Sequence, residues 1–152
     1  MTSRISGANV ARLAPHALAV LRIVAAALFL AHGVVKLVGF PAGAPPGAQP
    51  LATLLGLAAV VETITGTLMI IGLFTRAAAL IASGEMAVAY WLAHAPHSVY
   101  PVVNGGDAAI LFCFIFLLIA AAGPGPWSLD ASRKRKIVLT EDKATGEPMP
   151  EG

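Results

Sequence analysis

The chain has 152 residues, 57% of them hydrophobic and 12% charged, with a formal net charge of +2 and a mean hydropathy of +0.79. Soluble domains carry roughly 25% charged residues, so this composition excludes an ordinary water-soluble domain and points to a one-domain integral membrane protein with polar ends. So small a net charge gives no basis for nucleic-acid binding, and the single cysteine, Cys113, excludes a disulfide framework, a CxxC redox pair or a thiolate metal site within one chain.

Residues 1–16 read as a polar N-terminal tail carrying Arg4 and Arg12. The first apolar segment follows at about 17–37, and a cleaved signal peptide is its rival reading. Arg22 within the apolar stretch, and the length of that stretch, argue against cleavage. PAGAPPGAQP (41–50) cannot continue a helix, because its prolines lack the backbone donor and clash with the preceding turn. A second segment covers about 51–74. The connection LFTR (73–76) leads into a third at about 77–95, and a fourth occupies about 104–123 before GPGP (123–126) stops it. A spanning helix needs about 20 largely apolar residues, so the pattern predicts an all-α, four-helix transmembrane bundle over 17–126. Cys113, inside FCFIFLL, reads as an ordinary small buried residue.

Residues 127–152 are polar and include Arg133-Lys134-Arg135-Lys136. They read as a basic, mostly flexible tail, apart from a short extended piece at 137–140. Lys and Arg occur in both tails and, as Arg76, between the second and third segments. The loops 38–50 and 96–103 contain none. Both ends should therefore face the cytoplasm of a bacterial inner membrane, with the basic cluster as the topology anchor and contact with anionic lipid or protein as its alternative role.

Charges inside the apolar segments are the informative residues, because each costs about 2.5–3.5 kcal/mol on insertion scales unless paired or lining a cavity. At about 100° per residue, Arg22, His32, Gly33 and Lys36 share a roughly 100° arc of the first helix. Glu62 shares a stripe with Ala58, Ala59, Thr65, Gly66 and Met69, and Glu85 with Ala78, Ile81, Ala82, Val88 and Ala89. Small neighbours permit close backbone approach, so both glutamates are expected to face the interior. Chain direction puts His32, Lys36, Asn104 and Asp107 at one outer level, with Asp107 a plausible partner for Lys36, above the central Glu62 and Glu85. Arg22 lies below.

Each residue also has a structural reading. Lys36 can snorkel to the interface, His32 can donate to a carbonyl, and Asp107 can serve the start of a helix. Arg22 can pair with a glutamate to fix helix order. His94 and His97 in HAPH have no acid nearby in sequence and do not read as a metal set. Phosphate loops, GxSxG, HExxH and CxxCH are all absent.

Three runs carry a family resemblance: LRIVAAALFLAHGVVKLVGF, VVETITGTLMIIGLFTRAAALI and NGGDAAILFCFIFLLIAAAGPGPWSLD. With Arg22, His32-Gly33 and Lys36, with Glu62 ahead of Gly-Leu-Phe-Thr-Arg, and with GPG ahead of Ser-Leu-Asp, the chain resembles the DoxX family over Leu18–Asp130. The resemblance implies a compact four-helix membrane bundle in an accessory or subunit role within a membrane redox system. Partners would be membrane lipids and other protein subunits or a second copy. A quinone or other lipophilic ligand, not covalently bound, would lie near Glu62, Glu85 and His32 as proton-handling groups. Arg22, Lys36, Asn104 and Asp107 would serve as binding groups, and no metal is expected. A non-catalytic assembly subunit and a proton or small-molecule transporter are the alternatives.

Overall fold

The structure, a computed structural model, describes the backbone of residues 7–145 and the side chains of residues 11–140. Arg4, the outermost parts of both tails and the Lys143 side chain lie outside the described residues. Among the described residues, six α-helices run in chain order: α1 (Gly7–Val38), α2 (Leu54–Ile71), α3 (Thr75–Ala89), α4 (Pro101–Asn104), α5 (Asp107–Ala122) and α6 (Leu129–Thr145). No strand occurs among them. Helix α1 packs on α2, α2 on α3, α3 on α5, and α5 back on α1.

The ends of α2 follow from local chemistry. Thr53 is its N-cap, its hydroxyl accepting the Gly56 N–H at 3.0 Å, which satisfies one of the donors a helix start leaves open. Gly72 closes it at φ 71°, a left-handed conformation that costs glycine least. Only Gly72, Leu73 and Phe74 separate α2 from α3, so the two helices fold back on each other.

Two elements differ from the sequence expectation. Helix α1 starts ten residues before Ala17, at Gly7, and carries Pro15 within it, so the N-terminal tail is partly helical. Residues 129–145, expected to be flexible with an extended piece at 137–140, form α6. Ser128 starts it by accepting the Ala131 N–H on its hydroxyl at 3.1 Å, Asp130 lies in the first turn, and the Arg, Lys and Leu that follow are good helix formers. Thr140, inside the expected extended piece, donates to the Lys136 carbonyl four residues back at 2.9 Å.

The core is built of alanines and a few large groups: Ala25, Ala26, Phe29, Met69, Ala82, Phe116 and Ile119 are all buried. Phe29 meets Phe116 edge-on at 4.9 Å between ring centroids. The outside is apolar too, with Val24, Leu28, Ile64, Leu80 and Leu118 all more than half exposed. A protein surrounded by water hides such groups. Residues Ala11–Val38 and Leu54–Ile71 are long and apolar enough to cross a membrane, with mean hydropathies of 2.2 and 2.0, while the apolar α5 is shorter.

One end of the molecule is tied by reciprocal caps. The Asp130 carboxylate accepts the Phe74 N–H at 3.0 Å and the Thr75 N–H at 2.9 Å, capping the start of α3. Arg76 in turn donates to the Ala120 and Ala121 carbonyls, both at 2.7 Å, at the end of α5. Opposite charges thus sit on the helix ends that favour them. The His16 and Trp127 rings, 5.4 Å apart, bring α1 and the α5–α6 connection to the same end.

Candidate functional site

Helix α1 approaches α2 closely at Gly33, where an added Cβ would lie 2.9 Å from the Thr63 backbone nitrogen and 3.1 Å from the Ala59 carbonyl oxygen. That approach carries Lys36, one turn further along α1, to Glu62. The ammonium donates to Glu62 Oε1 at 2.5 Å, with Lys36 14% exposed and Glu62 1% exposed. This is a charge-assisted bond in a nearly dry setting. Glu62 therefore faces the interior as expected, flanked by buried Ala59, Thr65, Gly66 and Met69.

Two cavities flank this pair. The first, about 280 Å³, lies between α2 and α3 and is lined by Lys36, Glu85, Leu55, Val61, Gly84 and Leu92, among others. Several of its walls, including Leu55 and Leu92, belong to the exposed surface, so it opens outward between the helices. The second, about 350 Å³, lies on the other side, with Phe29, His32, Lys36, Glu62, His94 and Phe112 in its wall. Lys36 borders both. Glu62 Oε2 and Glu85 Oε2 are buried with no hydrogen-bond partner among the described residues, although buried carboxylate oxygens are normally satisfied. Glu85 is half-buried. The buried face of α3 runs through Ala78, Ala79, Ala82, Ser83 and Met86, which leaves Glu85 at its edge, facing a cavity rather than the core.

The second cavity is bounded by an irregular segment. After Ala89 the chain widens into a π-helical turn, Tyr90–His94, closed by the Ala95 N–H on the Tyr90 carbonyl at 2.9 Å. Such turns often sit at functional sites. Here the turn stacks the His94 ring over Tyr90. His94 Nδ1 lies 3.0 Å from the Asn104 carbonyl, and His32 Nδ1 lies 2.8 Å from the Leu28 carbonyl.

Four expectations change at this point. Lys36 pairs with Glu62 rather than Asp107, because its four-carbon stem reaches down into the bundle. Asp107 is exposed and begins α5. Asn104 braces its own loop, its amide donating to the Ser98 carbonyl at 2.8 Å and its oxygen accepting the Gly106 N–H at 2.7 Å, so it supports the cavity without lining it. Arg22 meets no carboxylate among the described residues. It is fully buried at the opposite end of the fold and donates only to carbonyls: Met69, Ile70 at 3.0 Å, Pro124 at 2.8 Å and Trp127 at 2.5 Å. Its charge closes the C-terminal end of α2 and joins it to the α5–α6 connection. His94, which sequence reasoning considered only as a metal ligand and set aside, belongs to the cavity, and the only signal for it was its position at the end of an apolar helix.

The model of the DoxX family matches residues 17–95. The chain belongs to the DoxX family. The match contains Arg22, His32, Lys36, Glu62 and Glu85, so the Lys36–Glu62 pair and both cavities are built around the DoxX part of the chain. A protein of Haemophilus influenzae (strain ATCC 51907 / DSM 11121 / KW20 / Rd), described only as an uncharacterized protein, is 39% identical over 126 residues, covering 80% of this chain and 94% of its own length. No solved structure matches. DoxX membership and the apolar helices together make this a membrane protein.

Proposed function

We propose that this DoxX protein crosses the bacterial inner membrane four times, with both ends cytoplasmic, and serves a membrane redox system as a subunit or accessory that holds a quinone-type lipophilic ligand. The observation that carries the reading is the pair of cavities on either side of Lys36–Glu62, each walled by an acid with an unpartnered buried oxygen. A polar group aimed into an apolar pocket is what orients a small ligand. The first cavity opens between α2 and α3 onto the surface that lipid would cover, the direction from which a lipophilic molecule arrives. Its size suits a single ring, and Lys36 and Glu85 are the groups that would bond to it. A quinone, when bound, supplies two-electron chemistry. The protein's part is to bind and orient the ring and to hold a proton at a Glu62 or Glu85 oxygen.

Orientation rests on Arg76 and the Arg133–Lys136 run, which belong to the end where Asp130 and Arg76 cap α3 and α5. Positive charge favours the cytoplasmic side.

The test is extraction of the purified protein in native-lipid nanodiscs, followed by mass spectrometry of the retained small molecules. Retained quinone that is lost in Glu85→Gln supports the reading. Absence of quinone, together with unchanged associated activity in Glu62→Gln, overturns it. A second reading, a non-catalytic assembly subunit, is favoured by Arg22, Arg76 and Asp130, whose bonds all tie helix ends. It predicts that Glu62→Gln lowers complex yield and leaves turnover per complex alone.

A further inference from the structure

The second cavity has a hydrogen-bonding character of its own, set by its two imidazoles. A carbonyl oxygen only accepts, so His32 Nδ1 facing the Leu28 carbonyl and His94 Nδ1 facing the Asn104 carbonyl must each carry the proton. In a neutral imidazole that assignment leaves Nε2 as an acceptor. Both rings stand in the wall of the cavity, so Nε2 is the polar atom each has left for an occupant. Glu62, 1% exposed and in the same wall, adds Oε2, an acceptor with no partner among the described residues. The Lys36 ammonium is the donor in this wall, and it is committed to Glu62 Oε1.

Three acceptors therefore face one engaged donor across about 350 Å³. A metal ion is not what they describe, because no group of three His, Cys, Asp or Glu among the described residues stands close enough to hold one. The remaining walls are apolar, mostly small or aliphatic side chains with two phenylalanines, Phe29 and Phe112. Phe112 meets His32 edge-on at 5.9 Å and Phe29 at a tilt at 5.7 Å, an arrangement suited to a flat ring.

We infer that the second cavity selects a single-ring aromatic diol, the hydroxyl-bearing form of a quinone, over the corresponding dicarbonyl. This rests on the ligand-site reading above and specifies which form the site prefers. Hydroxyls of a diol donate to Nε2 of His32 and His94 and to Glu62 Oε2. The carbonyls of the oxidised form would place acceptor against acceptor, and the cost falls chiefly on Glu62 Oε2, the buried acceptor of the three, since His32 is exposed and His94 half-buried. Asn104 is a positioning residue here, because its carbonyl fixes the His94 tautomer and its side chain holds the loop that presents that carbonyl.

The experiment measures binding of three probes to the full chain in lipid nanodiscs by calorimetry: methylhydroquinone kept reduced with ascorbate, methylbenzoquinone without reductant, and methylhydroquinone dimethyl ether. The diol is expected to bind at least about tenfold more tightly than either analogue, since one well-made buried hydrogen bond of about 1.4 kcal/mol corresponds to that factor. His94→Leu should reduce the preference to about threefold or less, whereas Leu118→Ala, on the exposed face of α5 and in the wall of neither cavity, should leave it intact. His32→Leu serves as the second variant if His94→Leu does not fold. Equal binding of diol and ether to the unaltered protein overturns the inference while sparing the ligand-site reading, as does full preference in folded His94→Leu. Binding of none of the probes overturns both.

Discussion

Lys36 on α1 and Glu62 on α2 meet at 2.5 Å, and the acid is 1% exposed whereas the base is 14% exposed. The asymmetry has a consequence for their removal. Lys36→Met leaves a buried carboxylate without a cation, whereas Glu62→Gln leaves an ammonium beside two cavities, where its flexible stem can move toward solvent or interface. Removing one partner of a buried pair costs about 3–5 kcal/mol. Lys36→Met should fall at that level and Glu62→Gln clearly below it, as read by thermal unfolding in detergent. The double variant Lys36→Met/Glu62→Leu should recover most of the loss, because well-packed apolar groups replace a buried pair at little cost. Equal effects of the two single variants would show that the exposures do not control the energetics.

Gly33 makes a second prediction. A Cβ there would lie 2.6 Å from Thr63 Oγ1 and 2.9 Å from the Thr63 backbone nitrogen, so Gly33→Ala must push α1 from α2. Overpacking of this kind costs about 1–3 kcal/mol. Gly84, where an added Cβ would meet nothing within 4 Å, is the matched control, and Gly84→Ala should raise stability by about 0.5–1 kcal/mol through helix propensity. Unfolding midpoints of the two variants moving in opposite directions would confirm that close approach, not glycine content, holds α1 to α2.

Arg22 ties four carbonyls from α2 and the α5–α6 connection. Arg22→Met should leave those acceptors without donors and destabilise by several kcal/mol, since each unsatisfied buried group costs about 1–3 kcal/mol. Arg22→Lys should rescue only part, because an ammonium lacks the planar fork that reaches separated acceptors. The two variants compared by limited proteolysis at the α5–α6 connection would show whether that end opens first. Full rescue by lysine would assign the effect to charge alone.

Asp130 supplies a pH dependence. Partial burial pushes its carboxyl up, but the Thr75 and Phe74 backbone N–H groups and Arg133 outweigh that and hold it below its ordinary 3.8. A carboxyl lower in the folded than in the unfolded state stabilises the fold above the unfolded value, and the contribution fades as pH falls through the folded one. Stability should therefore drop below about pH 4. Asp130→Asn should lose about 1 kcal/mol at neutral pH, as for other lost helix caps, and should flatten that part of the acid limb. An unchanged pH profile in Asp130→Asn would assign the acid sensitivity to other carboxylates.

Much of this architecture was legible along the chain, because insertion and periodicity are local properties. Four apolar runs, their Pro and Gly breaks and the interior face of Glu62 all follow from composition and from a repeat of 3.6 residues. The family resemblance through Arg22 and Lys36 on α1 and Glu62 on α2 was legible for the same reason, as spacing within each helix. The basic tail misled because high charge density reads as solvated chain, while the Ser128 cap and helix-forming Arg, Lys and Leu support α6 once α5 ends beside α3.

Which charges would meet was a different kind of question. Depth along each helix set Lys36 beside Asp107, and a structural reading paired Arg22 with a glutamate, yet contact depends on how closely two helices approach and how far a side chain reaches. Gly33 lets α1 settle on α2, so Lys36 finds Glu62, and Arg22 finds only carbonyls at a helix end. His94 enters the site because a π turn carries it there. Sequence by itself determined the kind of solvent this protein is built for and that Glu62 is kept inside, whereas Glu85, expected inside as well, stands half-buried at the edge of α3. Only the tertiary structure decided their partners, because pairing inside a bundle is set by distances of a few ångströms between helices that no single helix encodes.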